Sequence, residues 1–119
     1  GPIGQGAHLV ALRAQVVGQQ AAQLRVIVDD PILLIEILSP GNEVETLANV
    51  WAFTTIPTVR EILTVRSNRM ELALLRRDDQ GRWPEEPTIL RPPAALLLDS
   101  VDFDAPVIEL YRGSGLETP

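Results

Sequence analysis

Residues 32–38, Ile-Leu-Leu-Ile-Glu-Ile-Leu, form an apolar run broken once, by Glu36. Pro31 opens the run and Ser39, Pro40 and Gly41 close it. A run of that length with those bounds predicts a strand covered on both faces, of the kind found in the middle of a sheet. Side chains alternate along a strand, so Ile32, Leu34, Glu36 and Leu38 share one face. The weak alternation of residues 8–17 predicts an earlier strand, and residues 24–28 a short one ending at Asp29 and Asp30, with a turn at residues 18–20 between them.

Past the closing turn the period changes. Asn42 suits a helix N-cap, with Glu45 in the reciprocal capping position. Glu43 and Glu45 fall in the first turn, where the helix dipole favours anions. Leu47, Val50, Trp51 and Thr54 recur at helical spacing and are expected to face the sheet. Pro57 ends the helix and pushes Ile56 out of the helical region. Residues 59–65 and 70–76 predict two strands joined by a hairpin at residues 67–69. In the second, Met70, Leu72 and Leu74 point one way, and Glu71, Ala73 and Leu75 the other. A turn is expected at residues 78–81 and a rigid irregular passage at 83–87. Residues 88–90 and 96–103, separated by Pro92-Pro93, are edge-strand candidates, and residues 106–111 fit a single helical turn. The order gives an α+β (or α/β-like) domain over residues 1–119: a mixed sheet with one main helix, about 42–55, packed on it. Residues 1–7 and 114–119 are expected to be loose.

Composition narrows the chemistry. At 119 residues and 45% hydrophobic content, a single domain with a real core is possible. There is no cysteine, which removes disulfides and thiolate metal sites and leaves the cytoplasm as the default compartment. No stretch approaches the ~18 apolar residues of a membrane span, and no basic-then-apolar leader opens the sequence. The net charge is -6, and all ten cations are arginine. An acidic chain is a poor generic nucleic-acid binder, because phosphate affinity comes mostly from cations. Residues 59–82 nevertheless carry six arginines against four acids, whereas residues 83–119 carry two against seven. A modest basic surface or a solvated strand face both fit the middle segment.

Glu36 is the residue that needs a reason. An ionised carboxylate buried among aliphatics is costly unless it is paired, metal-bound or protonated. Three roles are open for it: a metal ligand or active-site remnant, a carboxylate satisfied by an arginine or a backbone amide, or an interface residue. Trp51, Phe53 and Trp83 read as core or interface, and Ser39 as a turn hydroxyl with no base nearby to make it a nucleophile.

The stretch "PILLIEILSP" (residues 31–40) resembles the signature of the Uma-type restriction endonuclease family, assigned to the PD-(D/E)xK nuclease superfamily. The resemblance continues through "NVWAFTTIPTVREILTV" (49–65), "ELALLRRDDQGRWPEEP" (71–87) and "LDSVDFDAPVIELYRG" (98–113). It implies a restriction-endonuclease-like core in which an Asp ends an early strand, a Glu sits inside the next, and a Lys stands nearby on that strand or the following helix. Two carboxylates there would hold Mg²⁺ through oxygen ligands; the metal activates a water and neutralises the scissile phosphate, and the Lys steadies developing charge.

Carried over residue by residue, the strand Glu is Glu36. His8 stands where the early Asp is expected, making it a candidate metal ligand beside Glu36, or else a surface histidine. Asn49 stands at the helix position of the Lys, as a site-lining residue or an ordinary exposed one. Ile32 replaces an Asp that many members carry after the proline, and the chain has no lysine at all. Asp30 lies about 20 Å from Glu36 along an extended strand, too far to share a metal within it. Family members are usually longer at the N-terminus, so the chain is expected to be a truncated version.

The departures favour a degenerate nuclease-like domain with weak or no activity. The alternatives are an active Mg²⁺-dependent DNA endonuclease, and an inactive oligomeric binding or assembly module. A sheet edge or face left uncovered by missing leading elements would be closed by self-association, which predicts a homodimer or higher oligomer.

Overall fold

The computed structural model describes residues 10–15, 23–25 and 30–116, the first two segments as backbone only. Eight strands and two helices follow in the order β1 (Val10–Gln15), β2 (Gln23–Arg25), β3 (Leu33–Leu38), α1 (Glu43–Phe53), β4 (Glu61–Arg66), β5 (Leu72–Arg76), β6 (Thr88–Leu90), β7 (Ala95–Leu98), β8 (Phe103–Pro106) and α2 (Val107–Leu110). The fold is α+β. A mixed six-stranded sheet runs β2-β1-β3-β4-β5-β6, and β7-β8 form a separate hairpin. The apolar run is β3, inside the sheet and parallel to both neighbours, β1 and β4. Parallel neighbours need a crossover, which α1 provides between β3 and β4.

The two faces of the sheet pack against different partners. On one face Leu33, Leu63, Leu72 and Leu74 meet Leu96 and Leu98 of the hairpin and Val107 and Tyr111. On the other Leu34, Ile62 and Leu75 meet Val50 of α1, with Val59, Phe53 and Trp83 closing the layer. The β5 alternation therefore runs as its sequence predicts, with Leu72 and Leu74 on one face and Leu75 on the other.

The helix sits on the sheet by a different stripe from the expected one. Thr46 and Val50 are its buried residues, whereas Leu47 and Trp51 are about half exposed. A polar-looking Thr46 is easily passed over in a hydrophobicity pattern, but its short side chain lets the helix lie close to the strands. The capping box is also not formed. Asn42 makes no side-chain cap to the helix; its Oδ1 accepts the Ser39 N–H at 2.8 Å, and its own N–H donates to the Ser39 carbonyl at 3.1 Å. Those bonds close a turn through Pro40 and Gly41, the latter at φ 98, a backbone conformation only glycine adopts without strain.

The far end of α1 is fixed by long-range donors. Arg77 Nη1 donates to the Pro57 carbonyl, and Nη2 to those of Thr54 and Ile56, at 2.9–3.3 Å. Trp83 Nε1 also donates to the Thr54 carbonyl, and its ring lies 4.8 Å from the Arg77 guanidinium. A cation at helix C-terminal carbonyls is favoured by both hydrogen bonding and the helix dipole.

The predicted strand over 96–103 is two strands. Its middle turns, with Asp102 at φ 58, and the chain pairs Leu98 with Phe103. Asp tolerates that left-handed conformation, which lets four residues reverse the chain. Near the end of the described residues, Leu116 packs against the larger core cluster.

Candidate functional site

Glu36 lies in the middle of β3, 4% exposed, on the face that carries α1. Backbone register identifies its neighbours. Arg13 of β1 stands opposite it on one side and Thr64 of β4 on the other. The same row extends to Arg25 of β2, Ala73 of β5 and Ile89 of β6. Neither position flanking Glu36 is a carboxylate. Asn49 is half-buried on α1, between the buried Thr46 and Val50. His8 lies outside the described residues.

Among the described residues two further acids are buried, neither of them a site residue expected from the sequence. Glu61, at the start of β4, is 1% exposed. It lies on the opposite face of the sheet from Glu36, since Leu33 and Arg76 are its register partners. Arg76 Nε donates to its Oε2 at 2.8 Å, and the backbone N–H groups of Ser100 and Asp99 donate to the two oxygens at 2.8 and 3.2 Å. Burial alone would raise its pKa, but the Ser100 and Arg76 donors outweigh that and hold it below the usual range. The signal was available: Glu61, like Glu36, interrupts an apolar strand run.

Glu71, just before β5, shares the α1 face with Glu36. It receives Arg66 Nε at 3.0 Å, Arg69 Nε at 3.2 Å and Arg91 Nε at 2.9 Å. Hydrogen bonding from Arg69, then from Arg91 and Arg66, outweighs its desolvation and holds its pKa at about 2. Two strand spacings and two residue rises separate Glu71 from Glu36, about 12 Å.

The metal implied by the nuclease resemblance can be tested against these donors. A magnesium cradle needs two or more oxygen ligands converging on a point. Glu36 faces Arg13 and Thr64 in register, Glu61 is on the other face, and Glu71 is distant and bonded to arginines. Among the described residues, no group of three or more His, Cys, Asp or Glu side chains is placed to hold a metal. Among the described residues, no second carboxylate stands beside Glu36 in register.

Two hollows lie against these acids. The first, about 160 Å³, lies between α1 and the outer strands on the Glu36 face. Leu47, Trp51, Ala73 and Ile89 line it, with Arg66 and Glu71 at its edge. The second, about 320 Å³, is polar and surrounds the Glu61–Arg76 pair with Arg60, Arg77, Asp79 and Asp99. A carboxylate with a lowered pKa, already bonded to a guanidinium and two amides, is poorly suited to proton transfer near neutral pH.

No family model matches the chain, and neither does any curated protein or solved structure. Among the described residues no helix is long and apolar enough to cross a membrane.

Proposed function

We propose that this chain is a nuclease-like domain that has lost its metal cradle and serves as a non-catalytic binding or assembly module. The observation that supports this reading most is the register around Glu36, which sets an arginine and a threonine beside the one acid that matches the nuclease pattern. Positive charge at a neighbouring register position favours an ionised carboxylate without a divalent cation. The absence of lysine from the sequence removes the third catalytic group as well. The compartment proposed is the cytoplasm, since a small domain without cysteine gains nothing from an oxidising one.

Substitution Glu36→Gln separates this reading from an active endonuclease without depending on turnover. A carboxylate paired with arginine stabilises the fold, so its neutralisation is expected to cost about 1–3 kcal/mol in urea denaturation. A carboxylate kept for a metal is strained in the apo protein, and its neutralisation would stabilise. Mg²⁺ or Mn²⁺ is expected to leave the wild-type melting temperature unchanged and to produce no nicking of supercoiled plasmid. Nicking that needs Glu36, or a Mn²⁺-dependent rise in melting temperature lost in the variant, would establish the endonuclease instead. A salt-dependent shift of DNA mobility without nicking would assign DNA as the bound partner.

A further inference from the structure

The sheet ends at β6, and its outer side pairs with nothing among the described residues. The direction of its backbone groups follows from the ladder. Arg77 N–H donates to the Arg60 carbonyl and Arg66 N–H to that of Glu71, so these are the hydrogen-bonded pairs of β4 and β5. Such pairs alternate along an antiparallel ladder, so Thr64–Ala73 is another, and Leu72 and Leu74 direct their backbone groups toward β6. Leu72 faces Leu90 and Leu74 faces Thr88, which leaves the N–H and C=O of Ile89 directed outward. The flanking residues with the same parity are Pro87 and Arg91. Pro87 has no N–H to offer, and the Arg91 carbonyl already accepts the Ala94 N–H at 2.8 Å. Among the described residues, the edge therefore presents four unpaired groups: the Pro87 carbonyl, both groups of Ile89, and the Arg91 N–H.

That set is self-complementary. We propose that β6 is a self-association edge, on which a second copy of this chain adds its own β6 antiparallel about a two-fold axis at Ile89. In this register Ile89 exchanges both bonds with its counterpart, and each Pro87 carbonyl receives the Arg91 N–H of the other copy. The donor proline lacks falls opposite the acceptor that Arg91 has already used, so no backbone group is stranded. The apolar surface agrees independently. Leu47, Trp51 and Ile89 line the hollow on one side of β6, Leu97 lines a shallow one on the other, and all four are 44–50% exposed. Exposed apolar side chains flanking an unpaired edge favour an interface there. The proposal names a partner for the assembly role but rests on the sheet edge alone, so failure of the nuclease-like reading leaves it intact.

Because β6 is short, the interface falls at the small end of the size range, and association is expected in the micromolar regime. Sedimentation of the full chain from about 1 to 500 μM should show the mass rise toward twice 13.1 kDa. Ile89→Lys should hold it at the monomer mass throughout, whereas Phe103→Lys, equally exposed but on β8, should behave as wild type. The cysteine-free sequence allows a direct register test. Facing residues of a hydrogen-bonded pair have Cα atoms about 5.5 Å apart, within disulfide reach. Ile89→Cys should therefore give a dimer under mild oxidation. Thr88→Cys should not, since its own counterpart would lie about 8 Å away. A monomer at every concentration overturns the proposal, as does a dimer that Ile89→Lys leaves intact. Equal cross-linking of both cysteine variants overturns it too.

Discussion

The Glu71 carboxylate should make folding stability depend on acid in a defined window. Three guanidinium groups hold it, and its pKa falls from 4.5 to about 2. A carboxylate whose folded pKa is depressed contributes fully above its unfolded pKa and loses that contribution as pH falls toward the folded value. By linkage the drop is worth at most about 3 kcal/mol. Arg69 and Arg91 are 53% and 65% exposed, so solvent screens two of the three partners, and about 1–2 kcal/mol is the better expectation. The assay is urea denaturation of wild type and Glu71→Gln at a series of pH values. Their difference should be constant from neutral pH down to about 5, close progressively between about 4.5 and 2, and shrink in 1 M salt. Comparison with the variant cancels the titration of other carboxylates. A difference that stays constant to pH 2, or vanishes by pH 4, would refute the reasoning.

Two further substitutions test how the layers are joined. The Tyr111 hydroxyl bridges β4 to Glu71, donating to the Arg66 carbonyl at 2.8 Å and accepting the Glu71 N–H at 3.2 Å; Tyr111→Phe should cost about 1–3 kcal/mol in denaturation, and a neutral result would show that the bridge contributes nothing. Arg76 spans two elements, with Nε on Glu61 at 2.8 Å and Nη2 on the Leu97 carbonyl at 2.6 Å. Arg76→Lys keeps the charge but not the planar fork, so it should lower stability by about 1–2 kcal/mol, whereas equality with wild type would mean charge alone matters there.

Much of this architecture was legible in the chain because period and punctuation agreed. The run 32–38 with its proline and glycine bounds became a central strand, and the alternation of Leu72, Leu74 and Leu75 divided between the two core clusters. What stayed hidden depended on contacts distant in sequence. The helix stripe turned on Thr46, whose burial comes from packing rather than hydrophobicity. Asn42 had two competing uses, and its bond to Ser39 prevailed over the cap. The tight reversal at Asp102 divided one apparent strand into two. At the candidate site, Glu36 was legible as a buried acid, but the residues opposite it were not. Strand register, which sets Arg13 opposite it, is a property of the assembled sheet.

The buried acids give a common rule for the molecule. Glu61 and Glu71 are each bonded to arginine, and Glu36 has an arginine opposite in register. No lysine occurs anywhere in the sequence. A guanidinium is more weakly hydrated than an ammonium and presents several donors in a fixed plane, so it is the cation best suited to meet a carboxylate away from water. These pairs join elements that hydrophobic contact alone would leave free to slide: Arg76 ties the sheet to the β7–β8 hairpin, and Arg91 ties the chain after β6 back to Glu71 before β5. Breaking such a pair leaves an uncompensated charge, which penalises misregistered arrangements more than it rewards the native one. Carboxylates used in this way are committed to the fold. A nuclease needs at least one left free for a metal, and Glu61 and Glu71 are already taken by arginines and, for Glu61, backbone amides.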